Sequence, residues 1–196
     1  MHTVIPLIIA NSALHLRWLN TLSYLENCGA RKIAALEHPT LVKEQMLKHA
    51  AEEFRHAYIL KKQMTRLGSS FPTYEQKFLL GGWHTIHYLD RLECVISRFL
   101  KAHRTPSVLA YLLITYAIEK RADYLYPLYE TYLRQTQHPV TVKSILLEEQ
   151  GHLREMEEAL QEHQQGTNFT KIVCQFEQAI YQEWFSHVQK SIHSAI

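Results

Sequence analysis

The chain is short of residues that interrupt a helix: 196 residues contain only six glycines and six prolines. So few breakers exclude a loop-rich or collagen-like chain and favour long uninterrupted elements, hence helices. Cysteine is also scarce. Cys28, Cys94 and Cys174 lie far apart and form no Cys-x-x-Cys pair, which excludes a zinc ribbon or a rubredoxin-type iron site. An odd set of free thiols suits a reducing compartment, so a cytoplasmic location is expected. Excess charge is small, at +2, and gives nucleic acid little support as a partner. The apolar stretch Val4–Ala10 is broken by Pro6, has no basic segment before it, and is far too short to span a membrane. What remains, 46% hydrophobic and 20% charged residues, is ordinary for a globular chain. This length fits one domain, 1–196, with a buried core.

Against these absences, one short pattern occurs twice. Glu52-Glu53-Phe54-Arg55-His56 and Glu148-Glu149-Gln150-Gly151-His152 both contain Glu-x-x-His, and in both a further Glu comes directly before it. Residues three apart on a helix lie on one face, about one turn apart. Each copy can therefore aim a carboxylate and an imidazole at one point, and two such helices facing each other make a pocket of two Glu and two His. Each copy also follows a helix with a lone Glu on its apolar face, Glu26 and Glu119. Glu26 falls four residues after Leu22, on the stripe of Leu14, Trp18, Leu19, Leu22 and Leu25, with His15 at its edge. A carboxylate buried there needs a partner, and a metal is one.

Helical periodicity predicts helices over about 11–36, 39–67, 83–103, from 106 onward, 139–165, and from 168 or 169 onward. Pro39, Pro106 and Pro139 suit first turns, with Thr105 as an N-cap. Gly68 and Gly166 suit stops. Pro127 should kink or restart its helix. The segment 69–82 reads as a crossover. His38-Pro39-Thr40-Leu41-Val42-Lys43 and His138-Pro139-Val140-Thr141-Val142-Lys143 echo each other, so the chain looks like two related helical hairpins. The last helix, with Val173, Phe176, Ile180, Trp184 and Val188 at helical spacing, should lie against the bundle or against a second copy in a homodimer. His49 reads as a surface or core-edge histidine. His84, His87, Asp90 and Glu93 read as a partly solvated face. Ala50 and Ala57 flank Glu53 by one turn each, leaving room for ions, while Gly151 inside the second motif asks for a packing or access reason.

The order Glu, Glu-x-x-His, Glu, Glu-x-x-His resembles the ferritin-like di-iron carboxylate superfamily. The resemblance covers roughly 10–165 and fills six ligand positions, Glu26, Glu53, His56, Glu119, Glu149 and His152. It implies an all-α, ferritin-like four-helix bundle, here with an additional crossover helix and a C-terminal fifth helix. By resemblance, Glu53 and Glu149 bridge two metal ions, Glu26 and Glu119 are terminal, and each metal takes one histidine. Glu52 and Glu148 match positions of an acidic outer layer, each accepting the ring N–H of the other motif's histidine. Tyr116 and Asp123, one turn either side of Glu119, are the further candidates, Tyr116 as a catalytic group near the metals.

Carboxylates and imidazoles suit two iron ions, with manganese as the alternative, and leave positions for dioxygen. The fold implied hosts several reactions. Three features lean away from iron storage and peroxide reduction. The gap from Glu53 to Glu119 is 66 residues, long for a simple crossover. There is no rubredoxin cysteine set, and Ala122 rather than another Glu stands one turn after Glu119. The expectation is therefore a di-iron oxidase or oxygenase acting with dioxygen on a small, mainly apolar substrate, with an external electron donor. The alternative is a ferroxidase or iron-binding protein. The oxygenase reading requires an elongated apolar pocket beside the metals, lined partly by the helices carrying Glu26 and Glu119, with Gly29, Ala30, Gly151 and the 83–103 helix shaping it.

Overall fold

The computed structural model describes residues 1–193, the side chain of Gln164 excepted. Every regular element among them is helical. The helices are α1 Val4–Ala10, α2 Ser12–Ala35, α3 Glu44–Thr65, α4 Trp83–Ile86, α5 Tyr88–Ala102, α6 Ser107–Gln135, α7 Lys143–Gln161 and α8 Gln164–His193, with a single 3-10 turn at Gln76–Phe78. Among the described residues, no helix is long and apolar enough to cross a membrane.

The opening apolar stretch is a helix. Pro6 sits in its first turn, where a missing N–H costs nothing, and Val4, Ile5, Ile8 and Ile9 are buried. Asn11 then caps α2, its side chain accepting from the backbone N–H groups of Ala13 (3.0 Å) and Leu14 (3.2 Å).

Both His-Pro turns run longer than expected. The helices start at Glu44 and Lys143, not at the prolines. The histidines explain the delay, because each ring acts as a local acceptor. His38 Nδ1 takes the N–H groups of Thr40 (3.2 Å) and Leu41 (3.1 Å), and His138 Nδ1 takes that of Val140 (3.2 Å). A side chain that satisfies these N–H groups holds the backbone in a turn instead of a helix.

Four further expectations are corrected. The stretch 83–103 is two helices broken at His87. Gly166 does not end a helix; α7 ends at Gln161 and Gly166 lies inside α8, against Leu160 and Leu109. Pro106 precedes the first helical residue, Ser107, and Thr105 makes no capping bond. Nor does Pro127 restart its helix: α6 runs through it without interruption.

α2 packs along α3 and α6 along α7, as two hairpins, and the backbones of α3 and α7 approach each other at few places. α8 lies against α5 and α6 of the same chain. Its Trp184 stacks on Trp18 of α2 with ring centroids 6.3 Å apart, and Trp18 meets Tyr129 of α6 edge-on at 6.3 Å. Such aromatic pairs add roughly 0.5–1.5 kcal/mol each beyond their burial. Gly81 permits the close approach of the crossover turn to α8: its φ is +79, and a Cβ there would lie 2.9 Å from Thr85 Oγ1 and 3.3 Å from Trp184 Nε1.

A carboxylate away from the twin motifs also ties helices together. Buried Glu177 of α8 accepts from Arg121 Nε (2.9 Å) and Nη2 (2.7 Å) and from the Tyr88 hydroxyl (2.7 Å). Both its oxygens are satisfied, which makes it a structural ion pair.

Candidate metal centre

Between the hairpins lie two groups of side chains, each able to converge on one point. Glu26, Glu53, His56 and Glu149 form the first, and His49, Glu53, Glu119 and His152 the second; within each group the ligand atoms lie within 4.8 Å of one another. Glu53 belongs to both. Its Oε1 stands 3.3 Å from His49 Nε2, 3.5 Å from His152 Nδ1 and 3.8 Å from His56 Nδ1. The six residues expected from the repeated motif are thus brought together by helices α2, α3, α6 and α7.

The outer carboxylates sit where the crossed pattern puts them. His56 Nε2 donates to Glu148 at 3.0 Å, and His152 Nε2 donates to Glu52 at 2.8 Å. Each bond fixes the tautomer of its ring and turns the lone pair of Nδ1 toward the cluster. Glu148 is held in turn by Arg55.

Several inner atoms are left without partners. His56 Nδ1, His152 Nδ1, Glu53 Oε1, Glu119 Oε2 and Glu149 Oε1 are all buried and make no hydrogen bond. His56 Nδ1 and Glu149 Oε1 are 2.8 Å apart. With Nε2 carrying the ring proton, both present lone pairs to each other, so a cation or an extra proton must lie between them. Buried polar atoms are almost always satisfied. Five unsatisfied acceptors aimed at one volume fit a metal centre of nitrogen and oxygen donors.

Electrostatics point the same way. Burial, then the nearby Glu149 and Glu26, hold Glu53 well above the ordinary carboxylate range. Burial and Glu119 do the same to Glu149, and burial pushes Glu119 up to about 7. Glu26 goes the other way: burial opposes its ionisation, but hydrogen bonds from His56, Glu53 and Tyr126 outweigh it. Burial disfavours a charged His56, yet Glu149 and Glu26 overcome it and push its pKa up to about 12. Burial, then the neighbouring His49, lowers His152. Carboxylates packed this closely must take up protons or surround cations.

Two members were not foreseen as such. His49 is 5% exposed, not a surface residue. Its Nε2 lies 3.0 Å from Glu119 Oε1, and its ring is 4.3 Å from that of His152. The available signal was its position, one turn before Glu53 on the same face. The other is Tyr126, fully buried, whose hydroxyl donates to Glu26. Tyr116 does not reach the cluster; its ionisable neighbours are Cys174 and Glu157. Asp123 is half-buried and makes no side-chain hydrogen bond or ion pair among the described residues.

A cavity of about 290 Å³ opens beside the second group. Glu53 and Glu119 close its inner end, and its walls are mainly apolar, with Ile33 from α2, Leu89 from α5 and Ile114 and Ile118 from α6. Gly29 lines it, as expected; Ala30 is fully buried and does not, and Tyr111 takes the place expected of Tyr116. Gly151 has no steric reason, since a Cβ there would meet nothing within 4 Å.

The chain matches none of the family models, curated proteins or solved structures with which it was compared.

Proposed function

We propose that the chain is a non-haem dinuclear metal oxidoreductase, built as a ferritin-like bundle, that uses two iron ions and dioxygen to oxidise a small, mainly apolar substrate. The observation that carries this reading is Glu53, one carboxylate shared by two four-residue groups in which five inner atoms make no hydrogen bond. On this reading Glu26, Glu149 and His56 hold one ion, His49, Glu119 and His152 hold the other, and Glu53 lies between them. Bound ferrous ions would supply the electrons and open positions needed to reduce dioxygen. The protein's own part is to fix the ligands. Glu148 and Glu52 hold the two imidazoles in one tautomer, and Tyr126 holds Glu26. An external donor returns the electrons after each turnover. Manganese suits the same donors.

The cavity favours an organic substrate over iron handling. A mainly apolar space ending on Glu53 and Glu119 keeps water from the reacting centre, whereas a protein that only oxidises or holds iron needs a polar path for hydrated ions.

Anaerobic titration of the metal-stripped protein with ferrous iron tests the reading. Saturation at about two ions per chain is expected; saturation below one, or no binding, rules it out.

A further inference from the structure

The charge at the mouth of the cavity carries an inference about what enters it. Lys32 of α2 and Glu93 of α5 line the outer end. Lys32 Nζ bridges to Asp90 at 2.7 Å and to Glu93 at 2.6 Å. The lysine is thus already shared by two carboxylates, and this rim group carries one net negative charge. All three side chains are at least one-third exposed, at 35%, 64% and 47%. Ion pairs this exposed are weak, so the bridge from α2 to α5 can part for an entering molecule. It does not offer an uncompensated cation to hold an anion.

The inner end offers no further basic side chain. Glu53 and Glu119 face the cavity, and between the two ends Tyr111 and Thr115 are the uncharged polar residues of the lining. An anionic molecule would therefore meet two carboxylates at the mouth and find the lining's one basic side chain, Lys32, already paired. An alcohol or an amine meets acceptors it can donate to. The volume, about that of ten water molecules, suits an aliphatic chain of moderate length or a single ring.

We propose that this cavity binds small apolar molecules whose polar end carries no negative charge, entering between α2 and α5, and that Asp90 and Glu93 are the residues that select against anions. The binding step stands apart from metal chemistry; only the fate of the bound molecule rests on the two-metal reading.

The test compares three probes with one chain length, 1-octanol, octylamine and octanoate, by calorimetry with the metal-free protein. The alcohol and the amine should bind roughly tenfold tighter than the carboxylate, because an anion must pass two carboxylates whose lysine is already shared. The double variant Asp90→Asn, Glu93→Gln alters exposed side chains that leave the fold intact. It should gain roughly tenfold for octanoate, as Lys32 is released, and leave the alcohol nearly unchanged. Ile114→Trp, which fills the cavity wall, should abolish binding of all three; its unfolding curve and ferrous-iron titration show whether it is folded. Octanoate binding tightest to the parent protein, an unchanged preference in the double variant, or no binding of any probe would overturn the proposal. Ferrous-iron titration of the same samples separates this outcome from failure of the metal reading: loss of metal binding with the probe preference intact would sink the oxidoreductase and leave the ligand site standing.

Discussion

In α3 the residue one turn before Glu53 is His49, and in α7 the residue one turn before Glu149 is Ile145. His49 turns into the cluster and Ile145 into the hydrophobic core. Within the motifs themselves, Arg55 in α3 corresponds to Gly151 in α7. Arg55 reaches across to hold Glu148, while Gly151 holds nothing. The loops differ as well. In the first hairpin Leu41 and Val42 are 66% and 70% exposed, whereas Val140 and Val142 of the second are buried. Glu130 of α6 accounts for the second case. It is buried and accepts from the Val142 N–H (2.8 Å) and the Thr141 hydroxyl (3.1 Å), so it satisfies the start of α7 from outside. Two hairpins with one motif thus make a centre with unequal halves: three carboxylates and one imidazole on one side, two of each on the other. On the two-metal reading, more nitrogen donors on one side would make the two ions bind with different strengths.

The largest effect should come from the residue common to both halves. Glu53→Ala should remove binding of both ions, while His49→Leu should weaken one and spare the other. Two-phase ferrous titrations of the two variants check this, and equal loss in both would erase the distinction between the halves.

Next come the outer carboxylates, which treat the halves alike. Glu52→Gln and Glu148→Gln should each lower metal affinity by about 10–100-fold, and Glu157→Gln, in a partly exposed pair with Lys120, should do little. Competition with a coloured chelator would measure all three. Similar affinities across the set would mean that the histidines need no orienting partner.

The smallest effect tests Gly151. With open space around its Cβ, Gly151→Ala should stabilise the chain by about 1 kcal/mol. Gly166→Ala should destabilise it, because its Cβ would lie 3.0 Å from the Leu160 carbonyl and 3.1 Å from Leu109. Thermal unfolding reads both, and a loss of stability in Gly151→Ala would reveal a constraint that the packing does not contain.

Local periodicity made much of this centre legible. Glu-x-x-His puts its two side chains on one helical face in any context, and the scarcity of glycine and proline leaves long helices as the consistent choice. The crossed pairing of Glu52 with His152 and of Glu148 with His56 was implied by the resemblance, and both bonds are present. The helix starts were misplaced because the proline signal was read without the histidine before it, whose ring accepts the N–H groups that a helix start leaves free. Tyr116 was chosen because it lies one turn before Glu119, whereas the tyrosine that reaches the cluster, Tyr126, does so through Glu26 of another helix.

What the sequence by itself determined is which side chains share a helical face: Glu53 with His56, Glu149 with His152, and Glu26 on an apolar stripe. Only the tertiary structure decided which faces meet. Rotation and spacing between helices brought His49 to Glu119, Tyr126 to Glu26 and Lys32 to Glu93, and left a cavity between α2, α5 and α6. These contacts join residues from 61 to 100 positions apart. A helix fixes angles only within itself, so no periodicity along the chain encodes them.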